Sequence, residues 1–392
     1  MVGAVPVTVS VLGATGSIGK SAAAVIGANK DRYRVEAVAG GSNPQELARV
    51  ARQLGARFAA IFDQAAYPAL KEALAGSGIT AAAGAGAVCE AAARPADRVV
   101  AAITGIAGLA PTCAALAQGS TVALANKEAM VSAGAAVLKL AASHGATILP
   151  LDSEHNSLFQ AMGGAPMSTV ARLTLTASGG PFRLWSAEAI AGATLAEALK
   201  HPNFAMGSKI TIDSATMMNK GLELIEAQHL FGLPEERIDV LVHPQQMIHG
   251  LVTFTDGSVN AGLAVPDMRV PMAHCLAWPE RCDSATPALD LIRIGRLDFE
   301  APDETRFPAL RLAREAMRAN GAVPTVLNAA NEVAVAAFLN SRIGFADIVK
   351  IVETVMIMPA MADLPAPASV EDAVSIDSEA RLRAGEVLSR LS

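Results

Sequence analysis

The feature that most constrains the fold is an apolar run near the N-terminus that leads directly into a glycine-rich turn. Residues 7–12 are typical of a buried β-strand, Gly13-Ala14-Thr15-Gly16-Ser17-Ile18-Gly19 follows, and an Ala-rich helical pattern begins at Lys20. Glycines let the backbone approach a pyrophosphate closely, and the N-terminus of a helix presents unbonded N–H groups to it. The order of strand, turn and helix therefore predicts a Rossmann-type dinucleotide site; an ordinary tight turn is the alternative.

The turn after the second predicted strand, residues 34–39, carries no acidic residue. It has the sequence Gly40-Gly41-Ser42-Asn43. A site selective for NAD places Asp or Glu at this point to bind the ribose 2′-hydroxyl. Without that carboxylate a 2′-phosphate is not repelled, so NADP is the favoured cofactor. Glu36 lies inside the strand, where an error of a few residues in the strand boundary would change this conclusion.

Composition excludes several functional classes. A length of 392 residues suggests about two to three domains. The net charge of −6, with dispersed Lys and Arg, disfavours nucleic acid or an anionic membrane as a partner. The four cysteines lack metal or redox spacing, which predicts reduced thiols in a cytoplasmic protein. Residues 99–126 are uncharged, but glycines and a proline interrupt them, so they predict strand 99–104, helix 111–118 and strand 121–125 instead of a membrane span.

Three regions are predicted along the chain, giving an α/β protein. Residues 1–150 alternate β-rich and helical segments, as in a doubly wound parallel sheet that binds NADPH. Residues 151–285 predict a central α+β catalytic and metal-binding domain, with strands at 172–177, 209–213 and 238–243 and a hairpin at 248–265. Residues 286–304 form a connector. Residues 305–392 predict a C-terminal helical domain, with helices at 309–318, 326–339 and 378–391.

The segment from Asp213 to Glu223 brings a hydroxyl, an amide, an ammonium and a carboxylate together in eleven consecutive positions. Ser214 is the expected N-cap of a helix on which Lys220 and Glu223, three residues apart, share a face. A phosphate-binding ammonium and a metal-binding carboxylate would then point into one cleft. The alternative is that Lys220 only forms a salt bridge with Glu223 on an exposed face.

A second acidic cluster, Asp152-Ser153-Glu154-His155-Asn156, follows a strand predicted at 146–151. Side chains two residues apart beyond the end of a strand can both face the carboxyl edge of the sheet, where α/β folds bind ligands. With Glu223 they supply three carboxylates and no thiolate, a set that suits Mg²⁺ or Mn²⁺. The alternative is that Asp152 caps a helix starting near His155 and Glu154 is solvated.

Two loops are further candidates for binding. Ser178-Gly179-Gly180-Pro181 follows a strand, and its small residues can expose backbone N–H groups to an anion. Residues 201–208 combine an ionisable ring, two large apolar side chains and a glycine, as expected of a hydrophobic lid with a hinge. A plain turn and a buried structural loop are the respective alternatives.

These motifs resemble those of the 1-deoxy-D-xylulose 5-phosphate reductoisomerase family over most of the chain. The resemblance is carried, in order, by residues 13–19, 125–128, 151–156, 178–183, 201–203, 206–207, 213–223, 265–269 and 328–332. It implies an NADP-dependent oxidoreductase that rearranges and reduces 1-deoxy-D-xylulose 5-phosphate, a sugar phosphate, to 2-C-methyl-D-erythritol 4-phosphate in the non-mevalonate isoprenoid pathway. It also implies NADPH, a divalent cation (Mn²⁺, Mg²⁺ or Co²⁺) and a cytoplasmic homodimer.

The resemblance assigns roles residue by residue. The implied metal ligands are Asp152, Glu154 and Glu223. The implied catalytic residues are these three and Lys127. The implied substrate contacts are Lys127, Ser153, Glu154, Ser178, His201, Ser214, Asn219, Lys220 and Glu223. The implied NADPH contacts are Thr15, Gly16, Ser17, Ile18, Gly40, Gly41, Ser42, Asn43, Asn126, Glu128 and Gly207.

This sequence departs from the family at two positions. Phe204 stands in the lid where the family usually has Trp, which keeps an apolar cover but removes area and an N–H donor. The turn at residues 40–43 lacks the Lys that some members have, so recognition of the 2′-phosphate is expected to rest on Ser42, Asn43 and backbone N–H groups, aided by Arg49 or Arg52, with a less steep preference for NADPH.

Two other functions compete with this prediction. A metal-independent NADP reductase of a small aldehyde would share the N-terminal sheet but gives no role to three carboxylates. A catalytically silent NADP-binding regulator would be expected to have lost at least one metal or phosphate residue, and the sequence retains all of them.

Overall fold

The structure is a computed structural model that describes residues 5–200, 207–319 and 321–391. The chain forms two compact units. The first unit consists of Met1–Ala129, Val137–Asn156 and Asp267–Ala288. The second unit consists of Met130–Ala136, Ser157–Pro266 and Leu289–Ser392. The three domains predicted from the sequence are contiguous, whereas each compact unit combines separate segments of the chain. The predicted domain boundaries therefore stay a prediction.

The strands within the described residues form two sheets. They are β1 (Val7–Leu12), β2 (Tyr33–Gly40), β3 (Phe58–Ile61), β4 (Thr80–Ala83), β5 (Arg98–Ala101), β6 (Thr121–Leu124), β7 (Thr147–Pro150), β8 (Val170–Ala177), β9 (Ile238–Val242), β10 (Ile248–Phe254) and β11 (Val259–Leu263).

Helices connect and cover these strands. They are α1 (Ser17–Ala28), α2 (Pro44–Leu54), α3 (Tyr67–Ala73), α4 (Ala85–Ala93), α5 (Leu109–Leu116), α6 (Lys127–Ser143), α7 (Ser153–Met162), α8 (Ala187–Ala191), α9 (Leu195–Ala198), α10 (Ser208–Ala215), α11 (Met218–Phe231), α12 (Arg269–Ala277), α13 (Leu291–Ile294), α14 (Ala309–Ala319), α15 (Val323–Leu339), α16 (Phe345–Met356), α17 (Pro359–Ala362) and α18 (Val370–Leu391). None of the helices in the described part of the chain is both long enough and apolar enough for a membrane span.

The first unit contains a parallel sheet with the strand order β4-β3-β2-β1-β5-β6-β7. The chain starts in the middle at β1, builds outward through β2 to β4, then returns to β5 on the other side of β1. Ligands bind such sheets where the strand order reverses, at the carboxyl ends of the strands. The predicted Rossmann-type domain is therefore confirmed, and the switch point lies between β1 and β5.

The second unit contains a four-stranded sheet with the order β11-β10-β8-β9. The predicted hairpin is confirmed, since β10 and β11 pair antiparallel around residues 255–258. β8 pairs antiparallel with β10 and parallel with β9. Apolar residues of this sheet, of α10 and α11, and of the C-terminal helices α14 to α18 form one buried core. The predicted C-terminal helical region is also confirmed.

One predicted strand, residues 209–213, is wrong, because these residues belong to α10. Three consecutive β-branched residues, 210–212, favour a strand here, but two side-chain contacts favour the helix. Lys209 Nζ lies 2.9 Å from Asp213 Oδ2, four residues later on the same helix face. The Thr211 hydroxyl donates to the Gly207 carbonyl at 3.0 Å. Burial of Ile212 in the core then outweighs the local preference for a strand.

The predicted N-cap role of Ser214 is wrong for a related reason. Ser214 lies inside α10, and the chain breaks at Met217, whose φ of 63° is left-handed, before α11 begins at Met218. The Thr216 hydroxyl accepts from the Met218 N–H at 3.3 Å. Two helices that meet at a left-handed residue thus replace the strand and capped helix that the sequence predicted.

Candidate active site

The glycine-rich turn has the close backbone contacts that its sequence predicted. Gly13 has a φ of +83°, and a Cβ atom there would lie 2.4 Å from the Ala102 carbonyl oxygen at the end of β5. A Cβ atom on Gly19 would lie 2.4 Å from the Ala14 carbonyl oxygen. α1 begins at Ser17, three residues before the predicted start, and its first turn carries no acidic side chain. The turn can therefore present helix N–H groups to a phosphate.

The end of β2 lies beside this turn. A Cβ atom on Gly40 would lie 3.3 Å from Thr15 Cγ2. Gly41 and Ser42 are exposed, and Asn43 caps α2 by accepting from the Glu46 N–H at 3.0 Å. Gly40 is thus the last residue of β2, and the other three predicted cofactor residues of this turn follow it, next to the strand that carries the glycine-rich turn.

Glu36 is buried within β2 and is bound to two arginines. Its carboxylate lies 2.9 Å from Arg94 Nε and 3.4 Å from Arg57 Nη1. A carboxylate held in two ion pairs inside a strand is not placed to accept from a ribose hydroxyl beyond the end of that strand. The structure thereby removes Glu36 as a candidate for binding the ribose 2′-hydroxyl.

Asn126 and Glu128 lie where β6 ends and α6 begins, at the carboxyl edge of the sheet. The Asn126 side chain caps α6 by accepting from the Ala129 N–H at 2.8 Å. Its amide nitrogen donates to the carbonyl of Gly105 at 2.9 Å and to the Glu128 carboxylate at 3.3 Å. Asn126 therefore joins the loops that follow β5 and β6, beside the switch point of the sheet.

The acidic cluster after β7 forms a set of charge contacts within the first unit. Asp152 Oδ2 lies 2.8 Å from Lys127 Nζ, and both side chains are largely buried. Asp152 also accepts from the Glu154 N–H at 3.3 Å, and the Ser153 hydroxyl donates to the Glu154 carboxylate. The helix-cap alternative for Asp152 is thus partly correct, since α7 begins at Ser153, but the same carboxylate also binds Lys127.

Asn156 anchors this cluster, and sequence reasoning gave it no role. Its amide nitrogen donates to the Pro150 carbonyl at 2.8 Å, to His274 Nδ1 at 2.9 Å and to Cys275 Sγ at 3.4 Å. Burial, with a smaller contribution from the charge of Arg281, lowers the pKa of His274 to about 4. A neutral imidazole can accept from the amide, so α12 and the end of β7 are fixed together two residues before Asp152.

Two hydroxyl residues expected to bind substrate lie close together in the second unit. The Ser178 hydroxyl accepts from the Gly180 N–H at 3.1 Å. Gly180 has a φ of +69°, and a Cβ atom there would lie 2.7 Å from the Ser214 carbonyl oxygen. Only glycine allows this approach. A cavity of about 490 Å³ opens beside Ser178, and Lys200 is among the residues that line it.

The first two turns of α11 carry three more of the expected residues. The Asn219 amide donates to Glu223 Oε1, and the Lys220 ammonium donates to Glu223 Oε2. Lys220 and Glu223 are almost completely buried. The ion pair that we considered as an alternative therefore exists, but it is not on an exposed face. Buried charges of this kind require compensation, which a metal ion and a phosphate also provide.

α10 is held in place by a buried carboxylate that the sequence did not assign. Asp213 is 1% exposed; its Oδ1 accepts from the Asn331 amide of α15 at 2.8 Å, and its Oδ2 lies 2.9 Å from Lys209 Nζ. The motif at residues 328–332 includes Asn331, but no sequence signal shows which helix it contacts. Asn331 fixes the residue that directly precedes Ser214.

Two remaining predictions concern the lid. Gly207 is exposed and stands at the N-cap of α10. His201, together with Phe204 and the rest of the lid up to residue 206, lies outside the described residues.

A parallel sheet with this strand order, a glycine-rich β1–α1 turn and no carboxylate after β2 define a Rossmann-type dinucleotide-binding protein. Comparisons with known proteins narrow this class. The sequence profile of 1-deoxy-D-xylulose 5-phosphate reductoisomerase matches residues 9–134. Profiles of the C-terminal domains of the same enzyme match residues 148–231 and 263–383.

Full-length relatives agree with these profiles. The chain is 55% identical over 385 residues to the 1-deoxy-D-xylulose 5-phosphate reductoisomerase of Afipia carboxidovorans, covering 98% of this chain and 95% of that protein. The Zymomonas mobilis enzyme in complex with NADPH superimposes with a TM-score of 0.91 at 51% identity, covering 98% of this chain and 99% of that one. A reductoisomerase structure containing NADPH, fosmidomycin and magnesium gives a TM-score of 0.93 at 41% identity, covering 97% and 98%.

This chain belongs to the 1-deoxy-D-xylulose 5-phosphate reductoisomerase family. The resemblance predicted from the motifs is therefore confirmed, and so are the predicted fold class and enzyme class.

Proposed function

We propose that this protein converts 1-deoxy-D-xylulose 5-phosphate to 2-C-methyl-D-erythritol 4-phosphate, using NADPH and a divalent cation. The observation that carries this proposal is the family match over almost the full chain. It is supported by the positions of the expected side chains. In the first unit they lie at the carboxyl edge of the parallel sheet, and in the second they lie at the contact between Gly180 and Ser214 and on the first two turns of α11.

Asp152, Glu154 and Glu223 are the proposed metal ligands. The donor set fits a hard divalent cation, because all three side chains offer carboxylate oxygens. The charges fit as well, since Asp152 is paired with Lys127 and Glu223 with Lys220. In each pair the ammonium balances part of the negative charge of the carboxylates, as a bound cation would also do. When bound, the cation supplies Lewis acidity that polarises the substrate carbonyl, and NADPH supplies the reducing equivalents.

The second unit provides the proposed phosphate-binding residues. Ser178, Ser214, Asn219 and Lys220 combine two hydroxyls, an amide and an ammonium, which suit a phosphate dianion. Binding the phosphate end fixes the distance between it and the carbons that react, so energy from the phosphate contacts contributes to catalysis. His201 and the lid are proposed to cover the substrate and exclude water.

Lys127 and Ser153 are the proposed contacts on the reacting end of the substrate. The Lys127 ammonium is fixed by Asp152 at 2.8 Å, so it can donate to a substrate oxygen from a defined position. A fixed cation stabilises negative charge that develops on that oxygen in the transition state. The Ser153 hydroxyl, now donating to Glu154, can donate to a substrate hydroxyl oxygen instead.

The proposed NADPH contacts fall into three groups. Thr15, Gly16, Ser17 and Ile18 bind the pyrophosphate through the turn and the N-terminus of α1. Gly40, Gly41, Ser42 and Asn43 surround the ribose that carries the 2′-phosphate. Asn126, Glu128 and Gly207 are the remaining proposed contacts.

The assembly and compartment are proposals that follow from the family resemblance. A homodimer is supported by the exposed edge strand β11, on which Val259 and Leu263 are 52% and 41% exposed, because exposed edge strands are usually covered. Light scattering after size exclusion tests this, and a monomer at micromolar concentration would contradict it. A cytoplasmic location is supported by four free cysteines.

The activity is tested by following NADPH absorbance with 1-deoxy-D-xylulose 5-phosphate as substrate. We expect oxidation that stops with EDTA and returns when Mn²⁺ is added in excess. Oxidation that is unaffected by rigorous chelation would favour the metal-independent reductase. Binding of NADPH without any turnover would favour a silent regulator.

A further inference from the structure

Recognition of the 2′-phosphate of NADPH lacks an obvious cation in this chain. The turn at residues 40–43 contains no Lys or Arg. The two arginines that the sequence suggested are engaged elsewhere. Arg49 binds both carboxylate oxygens of Glu46 at 2.8 Å, and Arg52 donates to the backbone carbonyls of Ala73 and Ala75. Another positive charge is needed if the site distinguishes NADPH from NADH by electrostatics.

Lys20 is an exposed cation on the neighbouring helix. It is the fourth residue of α1 and directly follows the glycine-rich segment, and its backbone N–H donates to the Gly16 carbonyl at 2.9 Å. Its ammonium makes no hydrogen bond or ion pair with any residue that the structure describes. The long, exposed lysine side chain is therefore available to a ligand.

The topology places this part of α1 beside the turn that follows β2. β1 and β2 are neighbours in the sheet, and Gly40 lies against Thr15 of the glycine-rich turn, as described above. An electrostatic effect agrees with this position. The hydrogen bond from Arg49 lowers the pKa of Glu46, burial opposes it, and the charges of Arg49 and Lys20 add to the lowering. The positive charge of Lys20 therefore lies close enough to affect Glu46, in the first turn of α2 immediately after residues 40–43.

We propose that Lys20 is the specificity-determining residue that binds the 2′-phosphate of NADPH. The inference rests on the proposed function, because it requires the adenosine ribose to lie at the carboxyl end of β2. The two acidic residues near this turn have partners other than Lys20. Glu46 is held by Arg49, and the Asp63 carboxylate accepts from the Ala65 N–H at 2.9 Å in the turn after β3.

The test is direct binding, measured by the fluorescence of the reduced nicotinamide in the absence of substrate. Dissociation constants for NADPH and NADH are compared in the wild type, Lys20→Gln, Lys20→Arg and Lys30→Gln. Lys30 is the matched control because it lies just beyond the opposite end of α1 and is also exposed. Both Gln variants remove one surface charge and leave the buried core unchanged.

We expect Lys20→Gln to weaken NADPH binding by about tenfold, the value of one charge-assisted hydrogen bond. NADH binding should change by less than about twofold, Lys20→Arg should keep the preference for NADPH, and Lys30→Gln should match the wild type. Weaker dependence of NADPH binding on salt in Lys20→Gln alone would give independent support.

Two results would overturn the assignment of Lys20. One is an NADPH affinity in Lys20→Gln equal to that in Lys30→Gln. The other is an equal loss of NADPH and NADH affinity. A failure of the proposed function would be visible separately, in the wild type. Equal wild-type affinities for the two cofactors would show that the site does not select NADPH, whatever the variants do.

Discussion

Replacing Gly180 by Ala tests whether the Ser178 turn and α10 form one phosphate-binding unit. Gly180 has a left-handed φ of +69°, and an added Cβ atom would lie 2.7 Å from the Ser214 carbonyl oxygen. The left-handed conformation alone costs an L-residue about 1–2 kcal/mol. The added Cβ atom would also overlap the Ser214 carbonyl oxygen, since carbon and oxygen atoms of this kind rarely approach closer than about 3.3 Å. Ser178 or Ser214 must therefore move by about 0.5 Å or more.

A shift of this size at the phosphate should reduce kcat/KM for the phosphorylated substrate by about tenfold or more, because small displacements of a bound substrate misalign the reacting carbons. The dissociation constant of NADPH in the absence of substrate should stay within about twofold of the wild type. Steady-state kinetics and a fluorescence titration measure the two quantities.

The chain offers a matched control. Gly164 has a φ of +80° and no atom near the position of an added Cβ. Gly164→Ala should therefore lose the same 1–2 kcal/mol of stability as backbone strain, with unchanged kinetics. If Gly180→Ala behaves like Gly164→Ala in both stability and kinetics, the close approach of Ser214 to the Ser178 turn does not position the substrate.

Three further predictions concern individual charges. Glu223→Gln keeps the shape of the side chain but removes a negative ligand, so turnover should fall at least about a hundredfold while a fluorescence titration shows NADPH binding unchanged; near-normal turnover would contradict the metal assignment. Lys220→Ala removes the buried partner of Glu223, so the metal-free protein should lose about 3 kcal/mol of stability in a denaturant titration, and Mn²⁺ should restore more stability to this variant than to the wild type. kcat/KM for the variant should fall about ten- to a hundredfold, and an unchanged value would show that Lys220 is not a phosphate ligand. Burial, and secondarily Arg281, lowers the pKa of His274 from 6.5 to about 4, so the unfolded chain binds a proton in this interval that the folded chain does not. The contribution of neutral His274 to the free energy of unfolding should be fully present above about pH 6.5 and fall towards pH 4, by at most about 2 kcal/mol after allowance for solvent screening. Thermal unfolding of His274→Gln should therefore depend less on pH in this range. The same pH dependence as in the wild type would refute this cause.

Sequence patterns predicted the first unit well because its signals are local. The β1 strand, the glycine-rich turn and α1 are contiguous in sequence, and strand pairing in such a sheet follows from chain order. Boundaries were less accurate where small residues blur them. α1 begins at Ser17 instead of Lys20, and the strand predicted to end at Thr104 ends at Ala101.

The errors occurred where tertiary contacts decide the local structure. Residues 209–213 have a strand-like alternation, but the ion pair between Lys209 and Asp213 and the hydrogen bond from Asn331 stabilise a helix. Asn331 lies over a hundred residues from Asp213, and a single sequence contains no record of such a contact. The same limit applies to Asn156 and His274. Both were visible as polar residues, but their mutual hydrogen bond depends on how α12 packs beside β7.

The most direct test of the account is the structure of the product. A plain NADP-dependent reductase and a reductoisomerase consume the same NADPH and give products of equal mass, but only the second changes the carbon skeleton. The purified protein should be incubated with 1-deoxy-D-xylulose 5-phosphate, NADPH and Mn²⁺, and the product examined by proton NMR. We predict a methyl singlet, since the methyl group of 2-C-methyl-D-erythritol 4-phosphate is attached to a carbon without hydrogen. A methyl doublet, from an unbranched chain with the methyl group beside a CH–OH carbon, would contradict the proposed function.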